Sequence, residues 1–342
     1  RDCFHDKPLL LSCMPRLATT WLFAVLSFIG CSIFRSEPNP LPPSIATIPD
    51  ERGSLPNPPV ITNPSQAAKD FQTLVEADKR SARDIAQWLS DNQDAVRHDA
   101  HLRTTLTNRI LDRLTEIREG YIRHIEAHPR HAEARLRFGN LLSRMQHDDE
   151  AVEQWSWAVK FDHQLAEAWN NIAGHLAAQV RRTRNPALLP RMFDSYDQAL
   201  LHAPLNPLFP HNLATALGLF PADAALHYGV PRGEIPKMAL GLLRLALSLA
   251  PDNFEIAADL AESHLDIKPF RKAQAQVAWD NARRLAREIH QYQQIDLQLA
   301  LLEIEDAKPQ AALRLLAKVT HPSLLPLKNK LLDALKKTRP IP

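Results

Sequence analysis

Residues 131–165, HAEARLRFGNLLSRMQHDDEAVEQWSWAVKFDHQL, decide the fold. Their apolar residues recur at helical spacing in two short blocks, so the stretch reads as two helices and a turn. Phe138-Gly139 and Leu142 mark the first helix, and Ala151, Trp155 and Ala158 the second. His147-Asp148-Asp149 separates them. The small side chains of Gly139, Ala151 and Ala158 allow two helices to approach closely, while Phe138, Leu142 and Trp155 fill the space around the contact.

The pattern recurs. Ala166 opens a second unit with Trp169, Ile172-Ala173 and Leu176, followed by a helix expected at 191–201 carrying Tyr196 and Ala199. A third unit begins at Pro207, with Leu213-Ala214 and Leu217, and its second helix is expected at 236–250 with Ala239, Leu243 and Ala246. A fourth begins at Phe254 and continues through Ala275, Trp279 and Ala282; a fifth uses Leu299-Ala300, Ala312 and Leu316. The first two start 34 residues apart, at Ala132 and Ala166. Such units resemble the tetratricopeptide (TPR) repeat, a helix–turn–helix of about 34 residues. The resemblance implies an all-α, right-handed helical-hairpin solenoid. Its packing positions here are Phe138, Gly139, Ala151, Trp155, Ala158, Trp169, Tyr196, Ala199, Ala246 and Trp279.

Working outward, residues 65–131 read as N-terminal helices ending in a degenerate repeat, with one helical pattern from Ala95 to Ala127 closed by His128-Pro129. The solenoid spans 132–322, with insertions at 181–190 and 218–235, and residues 323–342 supply a capping helix and tail. A terminal repeat needs such a cap because it has no further neighbour. The rarity of glycine, 9 in 342 residues, agrees with an all-helical chain.

The N-terminal 64 residues differ in character. Met14 reads as the natural start, followed by Pro15-Arg16 and an uncharged apolar run, Leu17 to Gly30, shorter than the roughly 20 residues of a spanning helix. Cys31 follows directly. This order resembles a bacterial lipoprotein signal, which implies cleavage before Cys31 and lipidation of its thiol; an uncleaved anchor is the alternative. Residues 1–31 are therefore a signal or anchor region. Residues 32–64 form a linker in which nine prolines, from Pro38 to Pro64, exclude helix and central strand. At about 3.1 Å per residue, an extended polyproline-like tether of this size reaches on the order of 90 Å.

All three cysteines lie in the first 31 residues, so the repeats carry neither disulfide nor thiolate metal site. The formal charge of +2 argues against a dedicated nucleic-acid binder. No phosphate loop, nucleophile motif or cofactor motif is present. His124 and His128 share a helix face at i, i+4, a spacing that suits a metal, but Glu126 sits off the metalloprotease pattern, and the histidines read as surface residues. Trp157 points away from the Trp155 face, either exposed as a contact residue or packed on a neighbouring repeat. The runs Arg181, Arg182, Arg184, Arg191 and Lys328, Lys330, Lys336, Lys337, Arg339 read as solvated surface that can attract anionic lipid, protein or polymer.

In TPR proteins the first helix of each repeat lines the groove. The groove candidates are Asn140, Asn171, Asn212 and Asp259. Asn140 and Asn171 match the two asparagines of the TPR carboxylate clamp, but Leu136, Leu208 and Asn212 stand at its cationic positions, so the clamp activity is not carried over. A row of asparagines also resembles the ladders that hold an extended peptide backbone, since each amide both donates and accepts. The expectation is a non-enzymatic scaffold, tethered in the bacterial cell envelope on the periplasmic side, that binds a protein or extended peptide. The alternatives are an adaptor facing the cytoplasm and an auxiliary subunit of an envelope polysaccharide or peptidoglycan enzyme. Oligomeric state is left open.

Overall fold

The computed structural model describes residues 64–267 and 272–338. The signal-like segment, Cys31 and the proline-rich stretch up to residue 63 lie outside the described residues. Among the described residues all regular structure is helical, and no helix is long and apolar enough to cross a membrane. The described residues up to His202 form one compact unit, and those from Ala203 onward form another.

The first unit opens with α1 (Pro64–Asp91), α2 (Gln93–His98) and α3 (Ala100–Ala127). Pro64, placed at the end of the linker by the sequence pattern, is instead the first helical residue, where a missing N–H goes unnoticed. The single helix expected from Ala95 is broken at Asp99, which is extended at φ −114°. Its carboxylate accepts from the backbone N–H of His101 (2.8 Å) and Leu102 (3.0 Å), capping α3. These bonds, Leu102's first, hold the Asp99 carboxyl below its usual range.

Two hairpins follow: α4 (Ala132–Arg144) with α5 (Asp148–Phe161), and α6 (Ala166–Thr183) with α7 (Leu189–His202). The first turn is tighter than expected. Gln146 adopts φ 62°, the His147 N–H returns to the Leu142 carbonyl (2.9 Å), and α5 already begins at Asp148. Asp148, Asp149 and Glu150 thus occupy its first turn, where negative charge complements the helix dipole. Inside the hairpin Ala151 and Ala158 are fully buried, and the Trp155 indole lies against Gly139. Half of the predicted insertion at 181–190 is regular: α6 continues to Thr183, Arg184 closes it at φ 58°, and a 3-10 turn spans Pro186–Leu188.

The second unit contains α8 (Leu208–Leu219), α9 (Pro221–Tyr228), α10 (Ile235–Leu249), α11 (Phe254–Ser263), α12 (Lys272–Leu285), α13 (Ile289–Glu305), α14 (Pro309–Ala317) and α15 (Leu325–Thr338). Hairpins pair α8 with α10, α11 with α12 and α13 with α14. The predicted insertion at 218–235 holds α9, a helix of its own that starts at Pro221 and ends on Gly229 at φ 64°. Trp279 is completely buried among Ala258, Ala261, Ala275, Ala282 and Ile295. Beyond it, α15 buries Leu331 and Leu335 with Leu297, Leu301, Ala312 and Leu316, covering the last hairpin as a cap must.

Candidate functional site

The exposed face of α4 is one stripe, Glu133, Arg137, Asn140 and Arg144, because residues three and four apart share a helix face. Adding the 34-residue repeat step places Glu167, Asn171, Gly174 and Ala178 on the matching stripe of α6. Asn171 therefore corresponds to Arg137 rather than to Asn140, and Arg137 is the groove residue that the choice of asparagines overlooked. The repeat register was the signal that could have found it.

Asn140 is fully engaged by protein. Its carbonyl oxygen accepts from Trp155 Nε1 (2.9 Å) and from Asn171 Nδ2 (2.7 Å), and its own Nδ2 donates to Glu167 (2.8 Å). The residue thus joins α4 to α5 and α6. The bridging role fixes the spacing of two groove helices, and it leaves Asn140 little capacity to hold a peptide backbone. Asn212 lies partly exposed on α8, in the second unit. Asp259, on α11 of that unit, pairs with His211 Nε2 at 2.7 Å. Glu255, Glu262 and Asp266 follow the helical spacing of Asp259, so this face is acidic.

Beside the α4 stripe is a cleft of about 280 Å³. Asp78, Lys79 and Arg83 enter it from α1, and Arg137, Asn140 and Arg144 from α4. The Asp78 side chain is only 12% exposed. It accepts from Tyr121 Oη (3.0 Å) and pairs with Arg144. Burial and the neighbouring carboxylate push the Tyr121 hydroxyl far above its usual range, keeping it a proton donor. Lys79 pairs with Glu76 (3.2 Å) and Arg137 with Glu133 (2.9 Å). These cations correct the sequence expectation of a groove without positive charge: two come from a helix outside the repeats.

The histidines expected at the surface are partly buried. His124 Nε2 and His131 Nδ1 are 2.8 Å apart, and both rings pack on Phe71 of α1, at 4.9 and 4.5 Å between centroids. His128 stacks next to His124 at 4.8 Å. Burial, aided by the neighbouring imidazoles, pulls His124 down to about 4; burial also lowers His131. Among the described residues no cluster of three or more His, Cys, Asp or Glu has metal-holding geometry.

Two tryptophans occupy other places than the repeat core. Trp169 is half-buried at the hairpin edge, where its Nε1 donates to the His163 carbonyl (2.9 Å) and its ring meets the His163 ring at 5.2 Å. Trp157 is half-buried, stacked on Phe161 at 5.5 Å and flanked by Lys160 and Arg135.

No family profile and no curated protein matches the chain. Solved structures similar to it include PilF of Pseudomonas aeruginosa, at 14% identity and a TM-score of 0.49, covering 77% of this chain and 99% of that one. YrrB, a TPR protein with an unusual peptide-binding site, is 17% identical with a TM-score of 0.48, covering 64% and 99%. TTC0263, a TPR protein of Thermus thermophilus, is 20% identical with a TM-score of 0.41, covering 60% and 99%. The repeat assignment rests on this chain itself: helical hairpins that recur at a 34-residue step, with Gly139, Ala151 and Ala158 where the helices meet, make a tetratricopeptide-type fold.

Proposed function

We propose that the chain is a non-enzymatic protein-interaction scaffold that holds a protein or extended peptide along the exposed stripes of α4 and α6. One observation carries this reading. The first helices of consecutive hairpins present polar side chains on one face, beside a cleft wide enough for a side chain, on a frame held by the Asn140 bonds. A rigid frame lowers the ordering cost that a bound segment must overcome. Lipidation at Cys31 would tether the scaffold to the bacterial envelope, on the periplasmic side, with the proline-rich stretch as spacer.

The test is a random-peptide selection against the full chain, with the binding face mapped by amide hydrogen exchange. Protection confined to residues 133–144 and 167–182 is the expected result. Selected peptides that protect only other segments would refute the groove reading. For the tether, intact mass of the mature protein should report a diacyl-modified Cys31, lost in Cys31→Ser. A mature chain with an unmodified Cys31 would refute it.

A further inference from the structure

Resting on that reading, we infer that the cleft between α1 and α4 recognises acidic side chains of an extended peptide partner. Four cations from two elements, Lys79, Arg83, Arg137 and Arg144, converge on one cleft. The single carboxylate in its lining, Asp78, is nearly buried and already occupied by Tyr121 and Arg144. It orients Arg144 and offers little negative charge to solvent.

The remaining cations are available. Lys79 and Arg137 pair with Glu76 and Glu133, whose side chains are each 49% exposed. Solvent-exposed pairs of this kind are weak and exchange readily for a better-placed anion. Exposed Arg83 has no ion-pair partner among the described residues. A guanidinium presents a planar fork of donors that matches a carboxylate, so the three arginines suit Asp and Glu side chains better than a diffuse anion.

The volume of about 280 Å³ fits one or two acidic side chains rather than a folded surface. The frame is set on both sides. Asp78 ties α1 to α3 and α4 through Tyr121 and Arg144, and Asn140 ties α4 to α5 and α6. Nucleic acid is disfavoured as the occupant. Trp155 is 5% exposed and no aromatic side chain lines the cleft, so no stacking platform accompanies the charge.

The experiment uses the full chain and two fluorescein-labelled ten-residue peptides, alternating Glu-Gly and alternating Gln-Gly, read by anisotropy at two salt concentrations. The Glu-Gly peptide should bind at least tenfold more tightly, and added salt should weaken it. Arg83→Glu with Arg137→Glu should cost at least tenfold. The neutral pair Arg83→Gln with Arg137→Gln should cost several-fold, while circular dichroism melting confirms the fold of each variant. Arg123→Glu, on another face of α3, should change nothing.

Equal binding of both peptides with protection of the groove would overturn the acidic preference and leave the scaffold reading standing. Protection of no groove residue by either peptide or by selected ones would remove both. Equal loss from Arg123→Glu, or tighter binding of a ten-nucleotide oligothymidylate than of the Glu-Gly peptide, would overturn the inference in favour of unspecific polyanion attraction.

Discussion

Replacing Gly139 by alanine should destabilise the first hairpin even though alanine is the better helix former. A Cβ at this position would stand 2.5 Å from Trp155 Nε1, 2.6 Å from Trp155 Cδ1 and 3.0 Å from the Ala151 carbonyl oxygen. The indole cannot swing away freely, because it is 5% exposed and its Nε1 is bonded to Asn140 at 2.9 Å. Overpacking of a filled core costs about 1–3 kcal/mol. Loss of the indole hydrogen bond adds about 1 kcal/mol. Against this stands a helix-propensity gain of roughly 1 kcal/mol. The net expectation is a loss of about 1–3 kcal/mol, the balance of those three contributions.

Gly174→Ala supplies the control within the same unit. Gly174 is exposed in α6, and its added Cβ meets only Tyr196 Oη at 3.9 Å. It should stabilise by about 0.5–1 kcal/mol. Urea unfolding followed by circular dichroism measures both, provided the m-values match the parent. Trp155→Phe in the Gly139→Ala background should recover part of the loss, because the smaller ring vacates the clashing atoms. Equal stabilisation by both alanine variants would refute the close-approach argument.

Three further outcomes are expected. Acidification should weaken the first unit between pH 6.5 and about 4, since buried His124 and His131 stay neutral in the folded chain while the unfolded chain takes up their protons. Allowing for the partial exposure of these rings, the loss is about 1–2 kcal/mol and levels off below pH 4; a urea midpoint independent of pH over this window would contradict it. Ala307→Gly should stabilise the turn after α13 by up to about 1 kcal/mol, because Ala307 sits at φ 56°, and an unchanged melting temperature would count against strain there. Asn171→Ala should cost about 1 kcal/mol by deleting the bond to Asn140, and should also loosen α4 against α6; a variant that keeps both stability and peptide affinity would deny Asn171 its role in the frame.

Much of the fold was legible in the sequence because its determinants are local or periodic. Apolar residues at helical spacing marked the helices. The step from Ala132 to Ala166 exposed the repeat, and the small residues Gly139, Ala151 and Ala158 identified where helices meet. Proline and glycine punctuation located the larger breaks, although the helix Pro221–Tyr228 hid inside an apparent insertion because eight residues give too short a pattern to separate from a loop.

Tertiary structure alone decided the rest. Asp78 and Arg144 are 66 residues apart in the chain, and nothing local says that they share a cleft. Asn140 read as a free groove amide until three partners from two other helices closed around it. His124 looked like a surface residue on a polar helix until Phe71 of another helix covered it. Periodicity determines which face of a helix turns inward; which helix arrives there, and with which side chains, is settled by packing between segments distant in sequence.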